Sequence, residues 1–267
     1  MGREVNIIAG ATASGKSRIA LERARRANGV IINADSQQVW RDLDVLTARP
    51  SADDMAVCPH KLYGFLPSDG KLDAYEWARM AAAEIKSAWA SGQTPYVVGG
   101  SGFYIKALTQ GFSPIPHAEP SPPDYERLQS VDPGAAAHIS PRDPQRISRA
   151  LGVFDHTGRR LSDWFKEPRK KPLEAEFDME IISLPVDELN EKIAARARFM
   201  LENGAVEEVA ALSSRAPADS LIFKVLGVRA IRALIAGEID RNEALSRIVA
   251  ETRRYAKRQR TFFKTQF

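Results

Sequence analysis

Along the first hundred residues, short apolar runs alternate with stripes of apolar positions at helical spacing. Residues 4–9 carry Val5, Ile7 and Ile8 and lead into Gly10, the pattern of a buried strand entering a glycine loop. Residues 17–27 read as a helix, residues 30–34 as a second β-rich run and residues 62–66 as a weaker strand. Residues 73–91 place Trp77, Met80, Ala81, Ile85 and Ala88 on one helical side, and Gly92 stops that helix. Residues 94–98 form another strand that runs into Gly99-Gly100, and residues 103–109 look helical. Strands alternating with helices predict an α/β fold, a parallel sheet flanked by helices.

The pattern breaks near Phe112. Residues 113–123 are dense in proline, lack any period and read as a linker. Helical stripes follow at 125–138 and 143–157, then a basic segment that ends at Pro172. Strand character returns at 179–184, and helices are predicted at 187–203, 224–236 and from 242 to about 263. The expected organisation is an α/β core of residues 1–112 and 178–267, interrupted by a small helical insertion domain at 113–177.

Composition sharpens this picture. With 44% hydrophobic residues, the 267-residue chain has enough apolar surface for a sizeable core. No apolar run approaches the ~20 residues that span a bilayer, so no membrane association is expected. Residues 1–10 carry no basic leader followed by a long apolar stretch. Cys58 is the only cysteine and has no metal-ligand neighbours at suitable spacing, which fits a reducing, cytoplasmic setting. The net charge of +4 is unevenly placed: residues 142–171 carry +5, residues 241–267 carry +6, and the remainder carries −7. That asymmetry fits a polyanionic partner, and equally two solvated helix faces.

Gly10-Ala11-Thr12-Ala13-Ser14-Gly15-Lys16-Ser17 matches the phosphate-loop pattern G-x-x-x-x-G-K-[ST], between a strand and a helix as that loop requires. Backbone N–H groups and the helix N-terminus would hold phosphate oxygens, Lys16 would reach the outer phosphate, and the Ser17 hydroxyl could ligate Mg²⁺. The pattern implies a phosphorylated ligand without specifying ATP or phosphoryl transfer. Asp35, just beyond the second strand, lies where open parallel sheets bind ligands; it could serve as general base or metal ligand, or merely cap the next helix. The adjacent Ser36, Gln37 and Gln38 could hydrogen-bond a base edge. Ser101, in the second glycine turn, could touch a phosphate or an amine, or cap a helix.

Taken together, these segments resemble the tRNA dimethylallyltransferases, the tRNA isopentenyltransferase family. The resemblance runs through the loop Gly10–Ser17, Asp35-Ser36-Gln37-Gln38, Thr47-Ala48-Arg49-Pro50, Pro59-His60-Lys61-Leu62, and Gly99-Gly100-Ser101-Gly102-Phe103-Tyr104. It continues through Asp143-Pro144-Gln145-Arg146-Ile147-Ser148-Arg149-Ala150-Leu151, Gly227-Val228-Arg229 and Lys257-Arg258-Gln259-Arg260-Thr261-Phe262-Phe263, and so covers almost the whole chain. Ala11 stands where the family usually has proline, Trp40 and Val228 where tyrosine is common, and Ser101 where threonine is usual. The insertion reads as shorter than in typical members, and the chain has little tail beyond Phe263, which bears on how far contacts to the anticodon arm extend.

The resemblance implies a P-loop NTPase-like fold and transfer of a dimethylallyl group from dimethylallyl diphosphate to N6 of the adenosine 3′-adjacent to the anticodon. It implies Asp35 and Ser101 as catalytic residues. Gly10, Thr12, Ala13, Ser14, Gly15, Lys16, Ser17 and Arg229 would hold the diphosphate, with Mg²⁺ on Ser17. Contacts to the tRNA anticodon stem-loop would come from Asp35, Ser36, Gln37, Gln38 and Ser101, from Gln145, Arg146, Ile147, Ser148 and Arg149, and from Lys257, Arg258, Gln259 and Thr261. A monomer is expected. The rival readings are a small P-loop kinase, an adenylate isopentenyltransferase acting on a free nucleotide, and a non-catalytic RNA-binding protein gated by nucleotide.

Overall fold

The computed structural model describes residues 3–267. It divides into two compact units, one of residues 1–109 with 173–267, the other of residues 110–172.

The first unit is built on five parallel strands: β1 (Glu4–Gly10), β2 (Gly29–Asn33), β3 (His60–Lys61), β4 (Thr94–Gly99) and β5 (Glu176–Ile182). Their order across the sheet is β3-β2-β4-β1-β5. Every pairing is parallel, with Ile8 opposite Val98 on one side and Glu180 on the other. The inner strands are buried on both faces, which explains their continuous apolar runs; β5, at an edge, alternates. Because all strands run the same way, Gly10, Asn33, Gly99 and Ile182 end at one edge of the sheet.

Helices α1 (Lys16–Arg26), α2 (Ala52–Val57), α3 (Ala74–Ala90) and α4 (Gly102–Gln110) follow β1, β2, β3 and β4 in turn. Ser51 and Asp54 form a reciprocal capping box at the start of α2, and Asp73 caps α3 by accepting from the Glu76 N–H at 2.8 Å. Trp77 of α3 is fully buried, donates its indole N–H to the Asn33 carbonyl at 2.9 Å, and stacks on Tyr104. The predicted strand at 62–66 is replaced by the two-residue β3 and a lone bridge between Trp40 and Leu66.

In the second unit, α5 (Tyr125–Val131), α6 (Pro133–Ala136), α7 (Pro144–Thr157) and α8 (Leu161–Trp164) surround Leu128, Ile147, Leu151 and Val153. Asp132 divides the helix expected at 125–138. Its fully buried carboxylate accepts from the N–H groups of Ala135 at 2.9 Å and Ser162 at 3.0 Å, so it caps α6 and anchors α8. The insertion boundaries are 110 and 172 rather than 113 and 177, because Phe112 and Lys170 exchange backbone hydrogen bonds of 3.1 and 2.8 Å and close its neck.

The first unit is completed by α9 (Val186–Glu202), α10 (Ala205–Arg215), α11 (Val228–Ile235) and α12 (Arg241–Gln266). The helix expected at 224–236 begins later, after a 3₁₀ turn at Leu221–Lys224 and a left-handed Gly227. From α9 and α12, the apolar faces pack with Leu43, Leu46 and Trp40 into a buried cluster that includes Met200, Leu201, Val225 and Ile248.

Candidate active site

At the carboxyl edge of the sheet, Gly15 takes φ +88° and Ala13 φ +64°. Left-handed backbone at Ala13 costs about 1–2 kcal/mol. Alternating handedness gathers successive N–H groups into an anion-binding concavity, which is the physical reason such a cost persists. Lys16 opens α1 and is buried, its ammonium within 3.3 Å of the Ala11 carbonyl. Burial lowers its pKa from the usual lysine value, Asp35 opposes that shift, and Arg196 adds to it. Ser14 Oγ is buried and has no hydrogen-bond partner among the described residues, an oxygen left open inside a phosphate loop.

Asp35 is 7% exposed. Its Oδ1 accepts from the Gln37 N–H at 3.0 Å, and its own N–H donates to Asn33 Oδ1 at 2.8 Å. The carboxylate is thus fixed by an Asx turn at the head of a short turn segment, not by service as a helix cap. Gly99 makes this placement possible: a Cβ there would stand 2.0 Å from the Ala34 carbonyl oxygen, so only glycine lets β4 end against the Asp35 turn.

One cavity of about 360 Å³ collects these groups. Thr12, Ala13, Gly15, Lys16 and Ser17 of the phosphate loop line its polar part with Asp35, Gln37, Gln38, Thr47, Arg196 and Tyr255. Arg196, which the sequence reading missed, donates to Thr12 Oγ1 and lies beside Asp35. Burial lowers the pKa of this guanidinium from its ordinary value, again opposed by Asp35. Its signal was present: an arginine on the face of α9 that otherwise buries Leu189, Ile193, Ala197 and Met200. Tyr255 was missed as well. It lines the cavity, and burial, with Asp35 nearby, raises its phenol well above the usual range, while Ser101 and Ser36 act in the opposite direction.

Several expected roles change. Ser101 does not line the cavity; its hydroxyl accepts from the Ser36 N–H at 2.8 Å and pairs with Ser36 Oγ at 3.0 Å, so it positions the Asp35-Ser36 turn. Gln38 donates to the Thr47 and Ala48 carbonyls at 3.0 and 2.7 Å, and Gln37 Oε1 accepts from the Leu226 N–H at 3.0 Å. Both amides therefore hold the cavity wall with one end and face the cavity from it. Gln259 is buried, accepting from the Thr12 N–H and donating to the Gly100 carbonyl, each at 2.8 Å. It ties the phosphate loop to the second glycine turn and is not a tRNA contact. Arg229 is exposed and outside the cavity lining, whereas Arg196 lines the cavity.

In the second unit, Ile147 belongs to the core and cannot meet a ligand. Arg149 donates to the Ala118 and Pro116 carbonyls at 3.0 and 3.3 Å, fastening the proline-rich segment to α7. Gln145 and Arg146 are exposed and Ser148 is half-buried. On α12, Lys257, Arg258 and Thr261 are exposed, and Lys257, Arg260 and Lys264 line a separate groove of about 480 Å³.

Fold and site define a P-loop protein whose phosphate loop, paired cations and buried carboxylate share one cavity. A family model described as IPP transferase matches residues 38–266, and the chain belongs to that family. It is similar to a tRNA dimethylallyltransferase of Zymomonas mobilis, 42% identical over 98% of this chain and 88% of that protein. A protein of the same name from Rhodopseudomonas palustris is 44% identical over 99% of this chain and 89% of its own length. Among solved structures, a tRNA delta(2)-isopentenylpyrophosphate transferase from Staphylococcus epidermidis is similar with a TM-score of 0.71 at 29% identity, covering 98% and 90% of the two chains. A eukaryotic dimethylallyltransferase acting on tRNA shares the fold, with a TM-score of 0.85 at 24% identity over 97% of this chain and 69% of that one.

Proposed function

We propose that the protein transfers a dimethylallyl group from dimethylallyl diphosphate to N6 of the adenosine 3′-adjacent to the anticodon of tRNA. The observation that carries this reading is the placement of Asp35 in one cavity with the phosphate loop and the two cations Lys16 and Arg196.

The amine at N6 is a weak nucleophile, because its lone pair is delocalised into the ring. As that lone pair bonds to C1 of the donor, the C1–O bond breaks and its electrons leave with the diphosphate. The amine proton passes to Asp35, a contribution of order 10²–10⁴-fold. Lys16, Arg196 and the loop N–H groups stabilise the charge that develops on the leaving diphosphate. Ser101 acts through Ser36, holding the Asp35 turn. The hard hydroxyl oxygen of Ser17 on the same cavity fits Mg²⁺, with diphosphate oxygens and water completing the shell. Bound there, the ion would neutralise part of the diphosphate charge. Reaching the base requires that it leave its stack, as in other enzymes acting on a nucleobase. The exposed cations Arg146, Lys257 and Arg258 would grip stem-loop phosphates.

Protein, Mg²⁺, dimethylallyl diphosphate and bulk tRNA, incubated together and digested, should yield isopentenyladenosine by mass. An anticodon stem-loop should be preferred over AMP as acceptor. Prenylation of AMP alone, or transfer of a labelled γ-phosphate from ATP without prenylation, would overturn the proposal.

A further inference from the structure

The cavity changes character along its length. Thr12 marks its polar end, in contact with Arg196 of α9 and Gln259 of α12. At the other end, Met200 of α9 and Ile248 of α12 belong to one buried apolar cluster. Residue numbers rise along α9 and fall along α12 between the same two ends, so the helices run antiparallel. Each presents polar side chains beside the phosphate loop and apolar ones a few ångströms farther on. On α9, Arg196 and Met200 stand one turn apart, about 6 Å along the wall. On α12, Tyr255, Thr252 and Ile248 make the same passage from polar to apolar.

Leu46 and Val225, members of the same buried cluster, line the cavity as well. Met200 is 6% exposed and Ile248 4%, so this end backs onto packed core rather than solvent. A ligand anchored by its diphosphate at Lys16 and Arg196 finds the cavity's cluster of large apolar side chains in this direction. Packed walls yield little: methylene-sized excess forces off-rotamer side chains and backbone shifts.

Building on the function proposed above, we propose that Met200 and Ile248 form the end wall of the donor's hydrocarbon subsite and limit the transferred group to five carbons. The longer allylic homologue, ten-carbon geranyl diphosphate, keeps the same diphosphate and C1 chemistry but must push its second isoprene unit into this wall.

The test is the ratio of kcat/KM for geranyl diphosphate to that for dimethylallyl diphosphate, with tRNA as acceptor. Met200→Ala and Ile248→Ala should each raise the ratio at least about 10-fold, the scale of discrimination that a pocket derives from one or two methylenes. Ile248→Val, which removes a single methylene, provides a folded variant if an alanine change unfolds the protein, and should raise the ratio in the same direction. Ala197→Leu, which narrows the cavity at mid-wall, should lower kcat/KM for dimethylallyl diphosphate while inhibition by inorganic diphosphate stays within about 2-fold of the parent. Dimethylallyl transfer with an unchanged donor ratio in all folded variants would overturn the wall. No prenyl transfer by the unaltered protein would instead overturn the functional proposal beneath it.

Discussion

Three charged side chains share one cavity, Lys16, Arg196 and Asp35, and the proposed reaction assigns each a task. Asp35→Asn retains volume and an acceptor oxygen for the Gln37 N–H, so the turn should survive, but an amide cannot take the amine proton. Single-turnover prenyl transfer should fall at least about 10²-fold with an almost unchanged melting temperature. Near-parental turnover would mean that another residue is the base. Lys16 carries a second expectation. Burial disfavours its ammonium in the free protein, so its pKa lies below the ordinary lysine value. A bound diphosphate favours the charged form again. Binding should therefore take up protons on the alkaline side, and affinity should fall as pH rises through the free protein's Lys16 pKa. Calorimetry in buffers of different ionisation enthalpy measures the uptake. Lys16→Ala should lose it and bind inorganic diphosphate more weakly; equal affinity and equal uptake would contradict this role.

Among the elements, α10 matters through one residue. Glu208 accepts from the N–H groups of Asp44, Val45 and Leu46 at 2.8, 2.7 and 3.0 Å. That grip sets the loop from which Leu46, Thr47 and Ala48 line the cavity. Glu208→Ala should cost about 1.5–3 kcal/mol, the range for hydrogen bonds to a charged group, read from denaturant unfolding. It should also raise KM for the donor more than it lowers kcat, because it disturbs the wall and leaves Asp35 in place. A stability loss with KM unchanged would confine Glu208 to a structural role. The helix itself was legible in principle. Gly204 precedes it, and Ala205, Val209 and Leu212 recur at helical spacing on its buried face. Likewise, Ser51 and Asp54 carry the capping-box signature of α2. The apolar stripe of α10 is short, and the six-residue α2 buries no side chain at all, so neither helix carries a strong periodic signal.

For the molecule as a whole, the positive charge of residues 142–171 and 241–267 predicts a polyelectrolyte interaction. Affinity for tRNA should fall linearly on a log–log scale with salt, with a slope of roughly −0.7 to −0.9 per phosphate contact. Arg146→Ala and Lys257→Ala should each reduce that slope by about one contact. Arg149→Ala should act differently, by loosening the segment around Pro116 and Ala118 that it holds. A salt-independent dissociation constant would refute the phosphate grip.

By itself, the sequence determined the alternation of strands and helices, the phosphate loop, the position of Asp35 after the second strand, and the presence of a helical insertion. These are written in local pattern: residue period, glycine placement and capping chemistry act within a few residues. Only the tertiary structure decided which side chains the cavity holds. Gln259 looks like one more polar residue in a basic terminal segment, yet it bridges Thr12 and Gly100. Arg229 carries the family pattern and lies on the surface, whereas Arg196, in a stretch without any motif, reaches the phosphate loop. Contacts such as that between Arg196 and Thr12 join residues nearly two hundred positions apart. Their geometry follows from how α9 and α12 pack against the sheet edge, and no local period encodes it.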